Sequence, residues 1–155
     1  IYDLSRRFKA EGIQTVLHSC MEMYEKDSKG EVIFDRILRE VPADLLQSQI
    51  DTAWALVGGK EPCDYIRQYA GRCDIVHIKD FKGPLPKQDF MSMRRTAAYQ
   101  QDAEIGNGVQ DVAGIVKACK ESGTKWLVVE HMEKKVYDDS IRAVQISLEN
   151  IKKVM

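Results

Sequence analysis

The chain lacks most of the features that would assign it to a specialised class. Its four cysteines, Cys20, Cys63, Cys73 and Cys119, are separated by 43, 10 and 46 residues. Those spacings match no C-x-x-C zinc or redox pattern, so the thiols read as free and buried. Neither sign of charge is in excess, because 23 Lys plus Arg stand against 24 Asp plus Glu for a net charge of -1. Nucleic-acid binding by counterion release needs a strong positive excess or a basic stripe, and that class is set aside. No apolar run approaches the ~20 residues that span a bilayer, and no signal-peptide pattern opens the chain. These absences point to a soluble, cytoplasmic domain with neither a nucleic-acid nor a membrane partner.

What is present is ordinary globular composition over 155 residues, with 44% hydrophobic and 30% charged positions. A chain of this size can bury roughly two-thirds of its unfolded surface and needs no disulfide or metal to fold. The chain opens on Ile1 inside an amphipathic helix, with Tyr2, Leu4, Phe8 and Ala10 interleaved with Arg6, Arg7 and Lys9; Glu11-Gly12 closes it. A β-rich run, Ile13 to His18, leads through the polar loop Glu25 to Gly30 into a helix from Val32 to Val41, stopped by Pro42. A second strand, Leu45 to Asp51, is followed by the Gly58-Gly59 turn and a helix from Pro62 to Tyr69 that its proline opens. The third strand is Cys73 to Lys79, and a long irregular stretch, about Phe81 to Gln110, comes after it. A helix from Val112 to Ser122 ends on Gly123, the fourth strand is Lys125 to Glu130, and a final helix runs from Ser140 to Met155.

One helix followed by four βα units predicts an α/β fold with parallel strands and helical crossovers. Four such units are half of a (β/α)8 TIM barrel, which typically needs ~250 residues. Because the sequence opens inside a helix, the expected assignment is the last four βα units, residues 1–155 forming the C-terminal half of the barrel. A half-barrel exposes two unpaired strand edges, so completion is expected from an N-terminal half, another polypeptide or a copy of the chain. A doubly wound open sheet is the alternative, and the lack of a Gly-rich phosphate loop after any strand argues against it.

Each predicted strand ends in an ionisable residue: His18, Asp51, His77-Ile-Lys79-Asp80 and Glu130-His131. In parallel βα architectures the C-terminal ends of the strands carry function. Alternation puts Val16 and His18 on one face, Gln49 and Asp51 on the next strand's matching face, then Ile75, His77 and Lys79, then Trp126, Val128 and Glu130. One inward face can therefore bring a His-Asp-His-Glu set to one level. Imidazoles mixed with carboxylates suit a divalent first-row metal such as Mn, Co, Zn or Fe, or Mg, better than Ca. A strand-end acid or histidine can equally serve as a helix cap, and the number of such residues in matching places favours the functional set.

Several segments carry a family resemblance. Asp51-Thr-Ala-Trp54, Gly58-Gly59-Lys-Glu-Pro62, Tyr69-Ala-Gly-Arg72 and His77-Ile-Lys-Asp80 resemble the sugar phosphate isomerase/epimerase family, the xylose-isomerase-like TIM barrels. Glu104-Ile-Gly-Asn-Gly-Val-Gln-Asp111 is similar to that family's Val-Gly-x-Gly-x-x-Asp loop, Trp126-Leu-Val-Val-Glu130 to its final Trp-x-x-x-Glu strand, and Gly12-Ile13 with Leu17-His18-Ser-Cys20 to its Gly-Ile and Tyr-His-Asn-His strand. The resemblance covers the whole chain; it is specific for the family and says little about the substrate. It implies a divalent metal held by His18, Asp51, His77 and Glu130, with His18 standing where the epimerases commonly carry Glu. It also implies a sugar or polyol substrate and proton transfer by Glu130.

With one of the family's two acids replaced, two-carboxylate epimerisation is in question, and Glu22 on the following loop is a candidate replacement base. Lys79 is a candidate electrostatic clamp on an enolate or hydroxyl oxygen, or else the partner of a neighbouring acid. His131 points opposite to Glu130 and reads as structural. Trp54 is a sugar-facing platform or a core residue, and Arg94 and Arg95 are solvated by default. The expected activity is isomerisation or epimerisation by α-proton abstraction. The alternatives are a dehydratase or lyase on an oxidised sugar or polyol, or a non-catalytic half-barrel that needs a partner.

Overall fold

The computed structural model describes residues 1–83, 102–131 and 139–155. In chain order the elements are α1 (Tyr2–Ala10), β1 (Thr15–His18), a 3-10 helix (Met21–Tyr24), α2 (Ile33–Glu40), β2 (Leu46–Asp51), α3 (Thr52–Val57) and α4 (Pro62–Gln68). They continue with β3 (Ile75–Ile78), β4 (Asp80–Phe81), β5 (Asp102–Ala103), α5 (Val112–Ser122), β6 (Trp126–Val129) and α6 (Ser140–Val154). Four strands form one parallel sheet in the order β1-β2-β3-β6, as the alternation of strands and helices requires.

Local chemistry sets the helix limits. The Glu61 carboxylate accepts the Asp64 N–H at the start of α4, where Pro62 occupies a position whose missing N–H costs nothing. Asp111 and Asp139 cap α5 and α6 in the same way, through the N–H groups of Gly114 and Arg142. Gly123 ends α5 in the left-handed region at φ 78°, a conformation glycine adopts without a Cβ penalty.

The helices cover one face of the sheet. Ile50, Val76 and Ile78 point into that layer and are fully buried against Phe34, Leu38, Ile66, Ile115 and Val116. Arg72 fastens the layers by donating to the main-chain carbonyls of Leu38 and Val41 at the end of α2 and of Leu46 at the start of β2. The other face is open: Trp126 is 67% exposed and Val128 38%. An uncovered apolar face on a parallel sheet is the signature of a barrel wall without its opposite wall, since parallel sheets are normally covered on both sides.

Three details differ from the sequence expectation. The span between β2 and the Gly58-Gly59 turn contains a helix, α3, because Asp51 both ends the strand and caps the next turn. A 3-10 helix follows β1. The stretch expected to be irregular from Phe81 to Gln110 is held at its base by antiparallel pairing of β4 with β5, Asp80 opposite Ala103 and Phe81 opposite Asp102. Residues 84–101, which include Arg94 and Arg95, lie outside the described residues. No helix among the described residues is long and apolar enough to cross a membrane. All four cysteines are free; Cys63, Cys73 and Cys119 are buried and Cys20 is half-buried.

Candidate metal and proton-transfer site

The sheet register decides which side chains meet. His18 pairs with Gln49, Gln49 with Ile75 and Ile75 with Trp126, so these four form one row across the open face. Asp51, His77 and Val128 form the next row towards the strand C-termini. Lys79 and Glu130 lie one step further along. This stagger brings His18 up against His77, with ring centroids 4.9 Å apart.

His18, Asp51 and His77 each offer a ligand atom, and the three atoms lie within 4.8 Å of one another. His18 Nδ1, Asp51 Oδ2 and His77 Nδ1 are buried and make no hydrogen bond of acceptable geometry. Asp51 Oδ2 lies 2.9 Å from Lys79 Nζ and His77 Nδ1 lies 2.6 Å from Glu130 Oε2. Both contacts are short and electrostatic, and they tie the donor set to Lys79 and Glu130. Buried polar atoms ordinarily have partners, and two imidazoles with a carboxylate are a donor set that suits a divalent transition metal. The residues present therefore fit a metal.

Second contacts hold each donor in place. Asp51 Oδ1 caps α3 by accepting the Trp54 N–H at 2.9 Å, which turns Oδ2 towards the cluster. The Asp51 main-chain N–H donates to Ser19 Oγ at 2.8 Å, and the Tyr24 hydroxyl donates to the same oxygen at 2.9 Å. The end of β1 is thereby tied to the end of β2. Lys79 is 2% exposed, and its Nζ bridges Asp51 Oδ2 and Glu130 Oε1, each at 2.9 Å. The Lys79 main chain is fixed as well: Thr52 Oγ1 accepts its N–H at 3.1 Å, and its carbonyl accepts from Gln110 Nε2 at 2.6 Å.

The electrostatics follow from burial and neighbours. Burial lowers the His18 pKa, against the opposing pull of Asp51, and the imidazole is kept in its neutral, ligating form. Burial raises Asp51 in spite of the Lys79 ammonium beside it. Burial alone would depress Lys79, but the charges of Asp51 and Glu130 outweigh it and the ammonium is raised. Glu130 is held at about 2, chiefly by the His77 imidazole against burial, with Lys79 adding to the effect. Glu130 is thus a firmly ionised carboxylate at the mouth of the cluster, 39% exposed where Lys79 and Asp51 are buried.

Not every residue singled out in the sequence joins this arrangement. Glu22 stands exposed on the 3-10 helix beside Cys20, outside the group of three donors. Trp54 lies in the core at 6% exposure, with Lys79 Nζ 5.2 Å from its ring centroid, a cation–π contact on the core side of the site. His131 faces the helix layer, where Nε2 meets Ser147 Oγ at 3.2 Å. Asp80 does not pair with Lys79. Its Oδ1 accepts the N–H groups of Phe81 and Gln110, and its Oδ2 those of Gly106 and Gly108. Gly108 is required for that approach, since a Cβ there would sit 2.1 Å from Asp80 Oδ1. Sequence reasoning overlooked Ser19, Thr52 and Gln110. The one available signal was a hydroxyl directly after a strand-end residue, His18-Ser19 and Asp51-Thr52, where it can bond the neighbouring strand's backbone.

No family model matches the chain. Among curated proteins, an inosose dehydratase from Geobacillus kaustophilus (strain HTA426) is 26% identical over 133 residues, which is 77% of this chain and 43% of that protein. Among solved structures, a xylose isomerase domain protein from Planctomyces limnophilus superposes with a TM-score of 0.74 at 17% identity, covering 99% of this chain and 50% of that one. The IOLI protein, solved with a zinc atom, gives 0.72 at 18% identity, covering 99% and 52%. A sugar phosphate isomerase/epimerase from Parabacteroides distasonis ATCC 8503 gives 0.71 at 20% identity, covering 96% and 49%. The chain has the fold of the xylose-isomerase-like TIM barrels and spans about half the length of these four proteins.

Proposed function

We propose that these residues form the C-terminal half of a divalent-metal-dependent sugar isomerase or epimerase, which moves a proton on the carbon beside a carbonyl. The observation that carries this reading is the trio His18, Asp51 and His77, whose donor atoms converge within 4.8 Å of one another, with the ionised Glu130 beside them. His18, Asp51 and His77 would hold the metal, and Glu130 would complete its shell or stay free as a base. A divalent ion bound there supplies Lewis-acid polarisation of a carbonyl and its adjacent hydroxyl, which acidifies the intervening C–H. Glu130, the exposed member of the set, is the group that takes the proton and returns it. Its low pKa keeps it unprotonated at neutral pH, and its drive as a base then depends on the substrate displacing His77 or Lys79 from its oxygens. Glu22 would reach the substrate only if its loop folds over the site. Lys79, buried behind Glu130, acts from here as a positioning residue for that carboxylate.

A dehydratase is the second reading, and the 26% identity to an inosose dehydratase favours it. Elimination on a keto-polyol opens with the same α-proton abstraction and differs only in the departure of a β-hydroxyl. The two are separated by incubating the metal-loaded protein, in its completed assembly, with ketoses and keto-polyols in deuterated water. Isomerase chemistry returns a product of the substrate's composition with deuterium in place of the hydrogen beside the carbonyl, and dehydratase chemistry yields a product lighter by water. Neither signal from the wild type, or the same signal from Glu130→Gln, would reject the assignment.

Completion of the barrel is part of the proposal. The uncovered face carries Trp126 and Val128, and the outermost helices expose Leu4 and Phe8 on α1 and Ile141, Val144 and Leu148 on α6. These are the two flanks and the inner wall that four further βα units would cover.

A further inference from the structure

Lys79 carries an inference that rests on the metal reading and goes beyond it. A lysine at the lip of an active site usually reaches towards solvent or substrate, whereas Lys79 is 2% exposed and its main chain is pinned at both ends. Its ammonium sits 2.9 Å from Asp51 Oδ2 and 2.9 Å from Glu130 Oε1, with the Trp54 ring on another side. The ammonium therefore forms two close ion pairs with carboxylates of the site.

The two oxygens of Asp51 have different neighbours. Oδ1 accepts the Trp54 N–H, so Oδ2 is the oxygen turned to both the cluster and Lys79, and an ammonium 2.9 Å from it repels any cation bound to the same atom. The same oxygen counts among the buried atoms without a well-formed hydrogen bond, which leaves it open to a stronger partner. Counting the two carboxylates and the ammonium alone, Asp51, Glu130 and Lys79 together carry one negative charge. Without the ammonium they would carry two, buried or half-buried, a state that strongly favours a divalent cation.

We propose that Lys79 is a built-in counter-cation of this site: it neutralises Asp51 and Glu130 while no metal is present and competes with a metal for Asp51 Oδ2. The ligand set is then assembled in the metal-free protein, and the bound metal stays exchangeable because the ammonium opposes it. Lys79 positions and tunes; it is not a catalytic residue on this account.

The test compares, in the completed assembly, wild type with Lys79→Met and Lys79→Gln, which keep most of the stem and lose the charge. Zn2+ and Mn2+ dissociation constants are read by competition with a chromogenic chelator, together with the melting temperature with and without metal. The expected result is at least tenfold tighter metal in both variants, with a lower metal-free melting temperature and a larger rise on adding metal. Equal or weaker affinity in both variants overturns the counter-cation, as does a variant pair that stays unfolded whether or not metal is added. The parent reading fails separately. A wild type that takes up no metal beside variants that bind one equivalent would mean that Lys79 has replaced the metal, which sustains the counter-cation and rejects the metal enzyme. Absence of metal from all three rejects both.

Discussion

Asp80 offers a sharp test of how the structure holds its site. The carboxylate is fully buried and accepts four main-chain N–H groups: Phe81 at 2.9 Å and Gln110 at 3.1 Å on Oδ1, Gly106 and Gly108 at 3.0 Å each on Oδ2. Asp80→Ala removes all four charge-assisted bonds at once. A buried donor left without a partner costs about 1–3 kcal/mol. The Phe81 bond is fully buried, and the other three are part-buried, so water regains some of what they lose. The expected destabilisation is about 3–5 kcal/mol, a large share of the ~5–15 kcal/mol that holds a domain together. Asp80→Asn keeps the shape but points an amide at one pair of N–H groups, and about 2–4 kcal/mol is expected by the same reasoning. Urea unfolding followed by far-UV circular dichroism measures both variants against wild type. Because Gln110 hangs from this carboxylate and its side chain holds the Lys79 carbonyl, the loss should carry through to metal affinity. Midpoints corresponding to less than 1 kcal/mol of change in both variants would refute the idea that Asp80 organises the loop between β5 and α5.

Other outcomes follow from the same geometry. Asp51→Asn combined with His77→Ala should abolish metal uptake, measured by elemental analysis after dialysis; undiminished metal in that double variant removes the proposed ligand set. Glu130 is depressed in the folded chain from 4.5 to about 2, so its stabilising contribution is complete above about pH 4.5 and is lost as the pH falls towards 2. Glu130→Gln should flatten that acid limb of an unfolding-midpoint profile, and an unchanged profile would show that the carboxylate is not held as described. The open face leaves large apolar side chains such as Trp126 in water, at ~1.5–3 kcal/mol each if left uncovered. Sedimentation should therefore find the chain associated or loosely ordered, and a compact, cooperatively melting 17.7 kDa monomer would tell against the half-barrel.

Part of this was legible without coordinates, for identifiable reasons. The βα alternation is written in hydrophobic period and helix-capping residues, both local properties, so strand order and the cover of helices were predictable. The inward face was readable too, because the two-residue period of a strand leaves His18, Asp51, His77 and Glu130 no choice of side once the register holds. Tertiary structure decided the rest. It divided the oxygens of Asp51 between a helix cap and the cluster, set Lys79 between two carboxylates and away from solvent, and gave Asp80 to the Gly106–Gln110 backbone. Those outcomes depend on which groups lie within about 3 Å across strands and loops far apart in the chain, as Lys79 and Glu130 are at 51 residues. A sequence pattern names the residue types near a site. Burial, by removing water as the competing partner, decides which of them must satisfy one another.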